Sequence, residues 1–143
     1  MIVQEVMSLN PHSATTTTSV REAMQLLAEF DIRHLPVVDG DNLVGIVSAR
    51  DLPGVVPSGI SYFGDPHDVQ RVLDQPVANV MSTELITVQT NTELDQAIEL
   101  MLKHRIGAIP VLENGGPKLI GILSYTDVLR AGLATRRADA GKP

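Results

Sequence analysis

The chain has 143 residues, a formal net charge of −6, 43% hydrophobic and 3% aromatic residues, and no cysteine. Its length suits one compact domain burying roughly 70% of the unfolded surface, its composition is that of a soluble globular protein, and disulfide and thiolate chemistry are excluded. The acidic balance and scarce aromatics argue against a nucleic-acid partner; the lack of a long apolar run and of a signal-peptide pattern argues against a membrane and for a cytoplasmic address.

In chain order, a turn around Val6-Met7-Ser8 leads to an extended segment containing Thr15 to Thr18. Apolar residues at 20, 23, 27 and 30 predict a helix, with Ser19 and Glu22 forming a capping box. Two short aliphatic runs follow, Leu35–Val38 and Leu43–Val47, joined by Asp39-Gly40-Asp41-Asn42; they read as buried strands of a hairpin. Ser48 is a good N-cap for a second helix, which Pro53-Gly54 interrupts early. Asp65-Pro66 predicts the start of a short helix ending near Asp74, and Pro76 opens a turn.

That turn is the first one again. Val80-Met81-Ser82 stands 74 residues after Val6-Met7-Ser8, and Val20, Ala23, Leu27 and Pro36-Val37 map at the same offset onto Leu94, Ala97, Met101 and Pro110-Val111. Two additional residues fall within 113–118, so Gly45 maps to Gly121 at an offset of 76. Thr92 and Asp95 resemble a capping box for the second long helix, Lys103-His104-Arg105 place positive charge in its last turn, and Gly107 can close it. Ile109–Leu112 and Leu119–Leu123 repeat the strands, and Ser124 repeats the N-cap. The unit is β-α-β-β-α, twice: repeat 1 over 1–52, a connection with a short helix over 53–79, repeat 2 over 80–134 and a flexible basic tail over 135–143. Each half alone is marginal in size, so the two repeats are expected to share one core.

Each copy carries Gly-h-h-Ser-x-x-Asp, as Gly45-Ile46-Val47-Ser48-Ala49-Arg50-Asp51 and Gly121-Ile122-Leu123-Ser124-Tyr125-Thr126-Asp127. A strand running into a helix start with a hydroxyl and a carboxylate suits a nucleotide. Phosphate binds at helix N-termini, and a carboxylate one turn on can accept from two ribose hydroxyls. The alternative is purely local, with each serine an N-cap and each aspartate a favourable first-turn acid.

These two segments, the Val-Met-Ser turns and the Leu-Pro-Val-Val and Ile-Pro-Val-Leu strands resemble a tandem pair of CBS (cystathionine-β-synthase) domains, a Bateman module, from about Val6 to Leu133. The resemblance implies an α/β (α+β) fold of two βαββα repeats related by a pseudo-twofold axis and packed through their small sheets. Two clefts between the repeats would take an adenosyl ligand: AMP, ADP, ATP (with Mg2+) or S-adenosylmethionine. Such modules sense ligands, need no other cofactor, and often pair into homodimeric discs that act on an effector protein.

Carried over, the resemblance implies a first site of Arg33, His34, Ser48, Arg50, Asp51, Ser82, Ile86, Ile106 and Gly107. The second comprises Ser8, His12, Ile32, Gly107, Ala108, Ser124, Thr126 and Asp127. The first is the more cationic, with Arg33, His34 and Arg50 beside Asp51 where the second has Gly107, Ala108 and Thr126, and is expected to hold phosphate more tightly. A surface pairing of Arg33 with Asp31 is the local alternative. His12, His34, His67 and His104 lack metal-type spacing, and no nucleophile-base set appears, so neither a metal site nor an enzyme is expected. Thr15 to Thr18 reads as an extended edge, and Tyr62-Phe63 as a loop anchor, or as a lid or dimer contact. A constitutive dimerisation module with unused clefts is the alternative function.

Overall fold

The computed structural model describes residues 1–49, 52 and 66–141. The chain forms two compact units that do not coincide with the sequence repeats. One contains Met1–Pro11 and 86–143, the other 12–85.

The unit of residues 12–85 is built on a three-stranded sheet. Strand β2 (Ala14–Thr15) runs parallel to β3 (His34–Asp39), which pairs antiparallel with β4 (Asn42–Ser48). Gly40, at φ +62°, makes the two-residue turn between β3 and β4. Helix α1 (Val20–Glu29) begins at Ser19, whose side chain accepts from the Glu22 amide; of the expected capping box only this half forms. It buries Val20, Ala23 and Leu27 on one face. Helix α2 (Pro66–Asp74) lies where the Asp65-Pro66 signal places it, and Arg21 of α1 pairs with Asp74 and Gln70 of α2. Pro76 caps a 3-10 turn over Val77–Asn79. The helix expected from Ser48, the Pro53-Gly54 break and Tyr62-Phe63 lie outside the described residues, apart from Leu52, which is buried.

The other unit has a four-stranded sheet in the order β1-β7-β6-β5. Its strands are β1 (Ser8–Leu9), β5 (Val88–Gln89), β6 (Ala108–Leu112) and β7 (Leu119–Ser124), with helices α3 (Leu94–His104) and α4 (Tyr125–Ala140). As in the other unit, the first strand of the long hairpin is almost wholly buried; the second alternates between buried and half-buried residues, so continuous burial holds for β3 and β6 but not for β4 and β7. Both hairpins shift register at matching points, between Val37 and Val38 and between Val111 and Leu112.

Among the described residues, two hydrophobic clusters stand where length suggests a single core. They are the same core built twice. Ala14, Val20, Ala23, Leu27, Leu35, Val37 and Val47 match Val88, Leu94, Ala97, Met101, Ile109, Val111 and Leu123. The last pair is exchanged: Val77, just ahead of repeat 2, completes the core of the 12–85 unit, and Val3, at the start of repeat 1, completes the other. Each is fully buried. Recruiting a turn from outside its own repeat gives each small unit apolar area that its own βαββ segment lacks, which is how it closes a core.

Three local expectations are corrected. Thr92 does not cap α3; Glu93 holds the N-cap position with no side-chain bond, and the Thr92 hydroxyl accepts from the Gln89 amide instead. A serine- or threonine-stabilised turn competes with the cap for the same hydroxyl, and here it wins. Gly107 does not close α3, because Arg105 takes the left-handed conformation (φ 54°) first, as Asp31 does at the matching position after α1. The segment expected as a tail over 135–143 is helical as far as Ala140, where α4 ends, through a stretch of alanines and arginines that favour helix.

Candidate functional site

At the end of β7 the chain turns directly into α4, and Ser124 and Asp127 lock that junction. The Asp127 amide donates to Ser124 Oγ (3.2 Å), while Asp127 Oδ2 accepts from the Ser124 amide (3.0 Å) and from Ser124 Oγ (3.1 Å). This reciprocal capping box holds a carboxylate that is only 6% exposed at the positive end of a helix. The Tyr125 amide is also committed, to the Gly107 carbonyl at 3.0 Å, so two of the first-turn donors available for phosphate are used internally.

Ser8 reaches the same carboxylate from the start of the chain. It lies opposite Ile122 in the β1–β7 ladder, and its hydroxyl donates to Asp127 Oδ1 at 3.0 Å. The chain at β1 passes close over β7: a Cβ at Gly121 would sit 2.6 Å from the Ser8 carbonyl oxygen and 3.0 Å from Met7 Sδ. In the other unit Met81 covers Gly45 in the same way, and a Cβ there would come within 2.7 Å of Met81 Cγ. The glycine of Gly-h-h-Ser-x-x-Asp and the methionine of Val-Met-Ser are thus two sides of one contact.

Ser8, Gly107, Ala108, Ser124, Thr126 and Asp127, all assigned to the second site, belong to one unit. Ala108 faces Ser124 across β6 and β7, and Thr126 is exposed. His12 and Ile32, assigned to the same site, belong to the 12–85 unit, where His12 stacks on Phe30 (ring centroids 3.6 Å apart) and Ile32 packs on the core. Of the first site, Arg33, His34, Ser48 and Ser82 share the 12–85 unit. His34 faces Ser48 across β3 and β4, the Arg33 carbonyl accepts from the Ala49 amide (2.8 Å), and Ser82 exchanges two backbone bonds with Ile46 (2.9 and 3.0 Å). Ile86 and Ile106 pack on the core of the other unit, to which Gly107 also belongs. Arg50 and Asp51 lie outside the described residues.

Arg130 was not among the sequence candidates. Its guanidinium lies 3.7 Å from Asp127 Oδ1, one helical turn on, and adds a cation to the groups around that carboxylate. The matching residue of repeat 1 is Gly54, and the Asp-x-x-Arg spacing on a helix was the available signal. Among the described residues, no group of three His, Cys, Asp or Glu side chains is placed to hold a metal ion, and no helix is long and apolar enough to cross a membrane.

The family model for the CBS domain matches residues 3–56 and again 77–134. The chain belongs to the CBS-domain family. Both matches begin at the exchanged valine turns, and together they cover both units. A homoserine O-acetyltransferase of Methanocorpusculum labreanum is 36% identical over 125 residues, 87% of this chain but 23% of the relative. Chloroplastic CBSX2 of Arabidopsis thaliana is 31% identical over 146 residues, which cover 90% of this chain and 61% of CBSX2. The chain therefore spans only part of these CBS-containing relatives. The crystal structure of CBSX2 in complex with AMP superposes with a TM-score of 0.80 at 30% identity, covering 94% of this chain and 98% of that one. The CBS pair of protein MJ0100, crystallised with 5′-methylthioadenosine and S-adenosyl-L-methionine, gives 0.73 at 25% identity, covering 92% and 98%. The α+β architecture of two small sheets is thus that of CBS-pair proteins.

Proposed function

We propose that this CBS pair is a regulatory module, not an enzyme, that binds an adenosyl ligand and passes its occupancy to an effector protein. The observation that carries the reading is the Ser8–Asp127–Ser124 group: a buried carboxylate held at a helix start, beside a hydroxyl and a guanidinium, in a chain similar to a CBS pair crystallised with AMP. Asp127 would accept the ribose hydroxyls, and Thr126 and Arg130 would face a phosphate. Arg33, His34, Ser48, Arg50 and Asp51, with Ser82, would form a second, more cationic ligand group in the other unit. AMP, ADP, ATP and S-adenosylmethionine remain candidates, with Mg2+ accompanying ATP. Leu102, Leu129 and Leu133, exposed on α3 and α4, support pairing with a second copy, and the composition supports a cytoplasmic setting.

Thermal unfolding with each nucleotide and with S-adenosylmethionine tests the reading. A ligand at 100 times its Kd adds about 2.7 kcal/mol to stability. A rise in Tm with at least one of them is expected. No shift with any would favour the alternative, a dimerisation module whose Ser124–Asp127 pair serves only as a helix cap.

A further inference from the structure

We infer that the Ser8 hydroxyl occupies the place a ligand hydroxyl takes on Asp127, so that binding is an exchange and Ser8 sets its affinity. This inference rests on the adenosyl reading above. A carboxylate offers about four acceptor positions. In the structure Oδ2 accepts twice from Ser124, and Oδ1 accepts from Ser8 with Arg130 beyond hydrogen-bond length at 3.7 Å. A ribose diol needs two positions, and the carboxylate is 6% exposed. One internal donor therefore leaves.

Ser124 is the wrong donor to lose, because its bonds form the N-cap of α4, and breaking them frays the helix start. Ser8 makes one side-chain bond, is itself exposed, and is held in the sheet by its backbone pairing with Ile122. Rotation about χ1 frees its hydroxyl to water without moving β1. The arrangement keeps a buried carboxylate satisfied when no ligand is present, as buried polar groups require. Its consequence is a sign: a hydroxyl that looks like part of the ligand site weakens binding.

Isothermal titration of AMP and of 5′-methylthioadenosine, both with an intact diol, into wild type, Ser8→Ala and Ser8→Thr tests this. Removing the competing donor in Ser8→Ala is expected to tighten both ligands about two- to tenfold, the worth of one net hydrogen bond. Ser8→Thr keeps the hydroxyl and is expected to bind like wild type. The gain should vanish for 2′,3′-dideoxyadenosine 5′-monophosphate, which asks nothing of Asp127. Weaker or unchanged binding by Ser8→Ala, or an equal gain with the dideoxy nucleotide, overturns the exchange and leaves the adenosyl reading standing. Absence of binding of AMP, ADP, ATP, S-adenosylmethionine and 5′-methylthioadenosine to wild type and to both variants overturns the adenosyl reading, and the exchange with it.

Discussion

The hydroxyl of Ser8 and the carboxylate of Asp127, 119 residues apart, are joined by a hydrogen bond of 3.0 Å. It fastens the turn that opens the first repeat to the helix that closes the second. Because the same carboxylate caps α4, a substitution there acts on the fold as well as on a ligand. Asp127→Ala leaves the Ser124 amide and the Ser8 hydroxyl without their acceptor and is expected to cost about 1–3 kcal/mol in urea unfolding. Asp127→Asn keeps an acceptor oxygen and is expected to cost less. Equal stability of Asp127→Ala and wild type would show that the capping box contributes nothing.

The exchanged valines make a prediction about place as well as size. Val3→Ala and Val77→Ala each remove two buried methyl groups, worth about 2 kcal/mol with the cavity left behind. In amide hydrogen exchange, Val3→Ala is expected to weaken protection in α3, β6 and β7, and Val77→Ala in α1, β3 and β4. Each turn would then loosen the hairpin of the other repeat. Loss of protection in the valine's own repeat would contradict the exchange of turns.

The two motif glycines should differ in tolerance. At position 45 a new methyl group meets the flexible end of Met81, whereas at 121 it meets the backbone carbonyl of Ser8. Gly121→Ala is expected to destabilise by about 1–3 kcal/mol, as overpacking does, and Gly45→Ala by less, because the methionine can move. Denaturant midpoints of the two variants check the order.

Arg21 and Asp74 join α1 to α2 at the surface, where both side chains are substantially exposed. Water and salt screen such a pair, so Asp74→Asn is expected to cost under about 1 kcal/mol, less still at high salt. A larger loss would mean that α2 is held chiefly by this contact.

Much of the fold is legible in the sequence because the repeat is a repeat of core positions. The 74-residue offset pairs Ala23 with Ala97 and Val37 with Val111, and these pairs prove buried in equivalent clusters. Internal similarity cannot say which hairpin a turn joins: Val6-Met7-Ser8 fits over Gly45 or Gly121 equally well as a pattern, and only the folded chain places it over Gly121. Local signals failed where two short-range partners compete, as at Thr92, whose hydroxyl serves a turn, and at Arg105, which turns the chain before Gly107. Arg130 has Gly54 at its place in repeat 1, so a comparison of repeats marks it only as a difference.

The most direct test of the central claim is isothermal titration of AMP, ATP and S-adenosylmethionine into the wild-type chain and into Asp51→Ala, Asp127→Ala and the double variant. Saturable binding of at least one ligand by wild type is expected, with a loss of at least about tenfold from removing a charged hydrogen-bond acceptor in a single variant and no measurable binding by the double variant. Wild-type affinity in the double variant, or no binding of any of the three ligands to wild type, would contradict that claim.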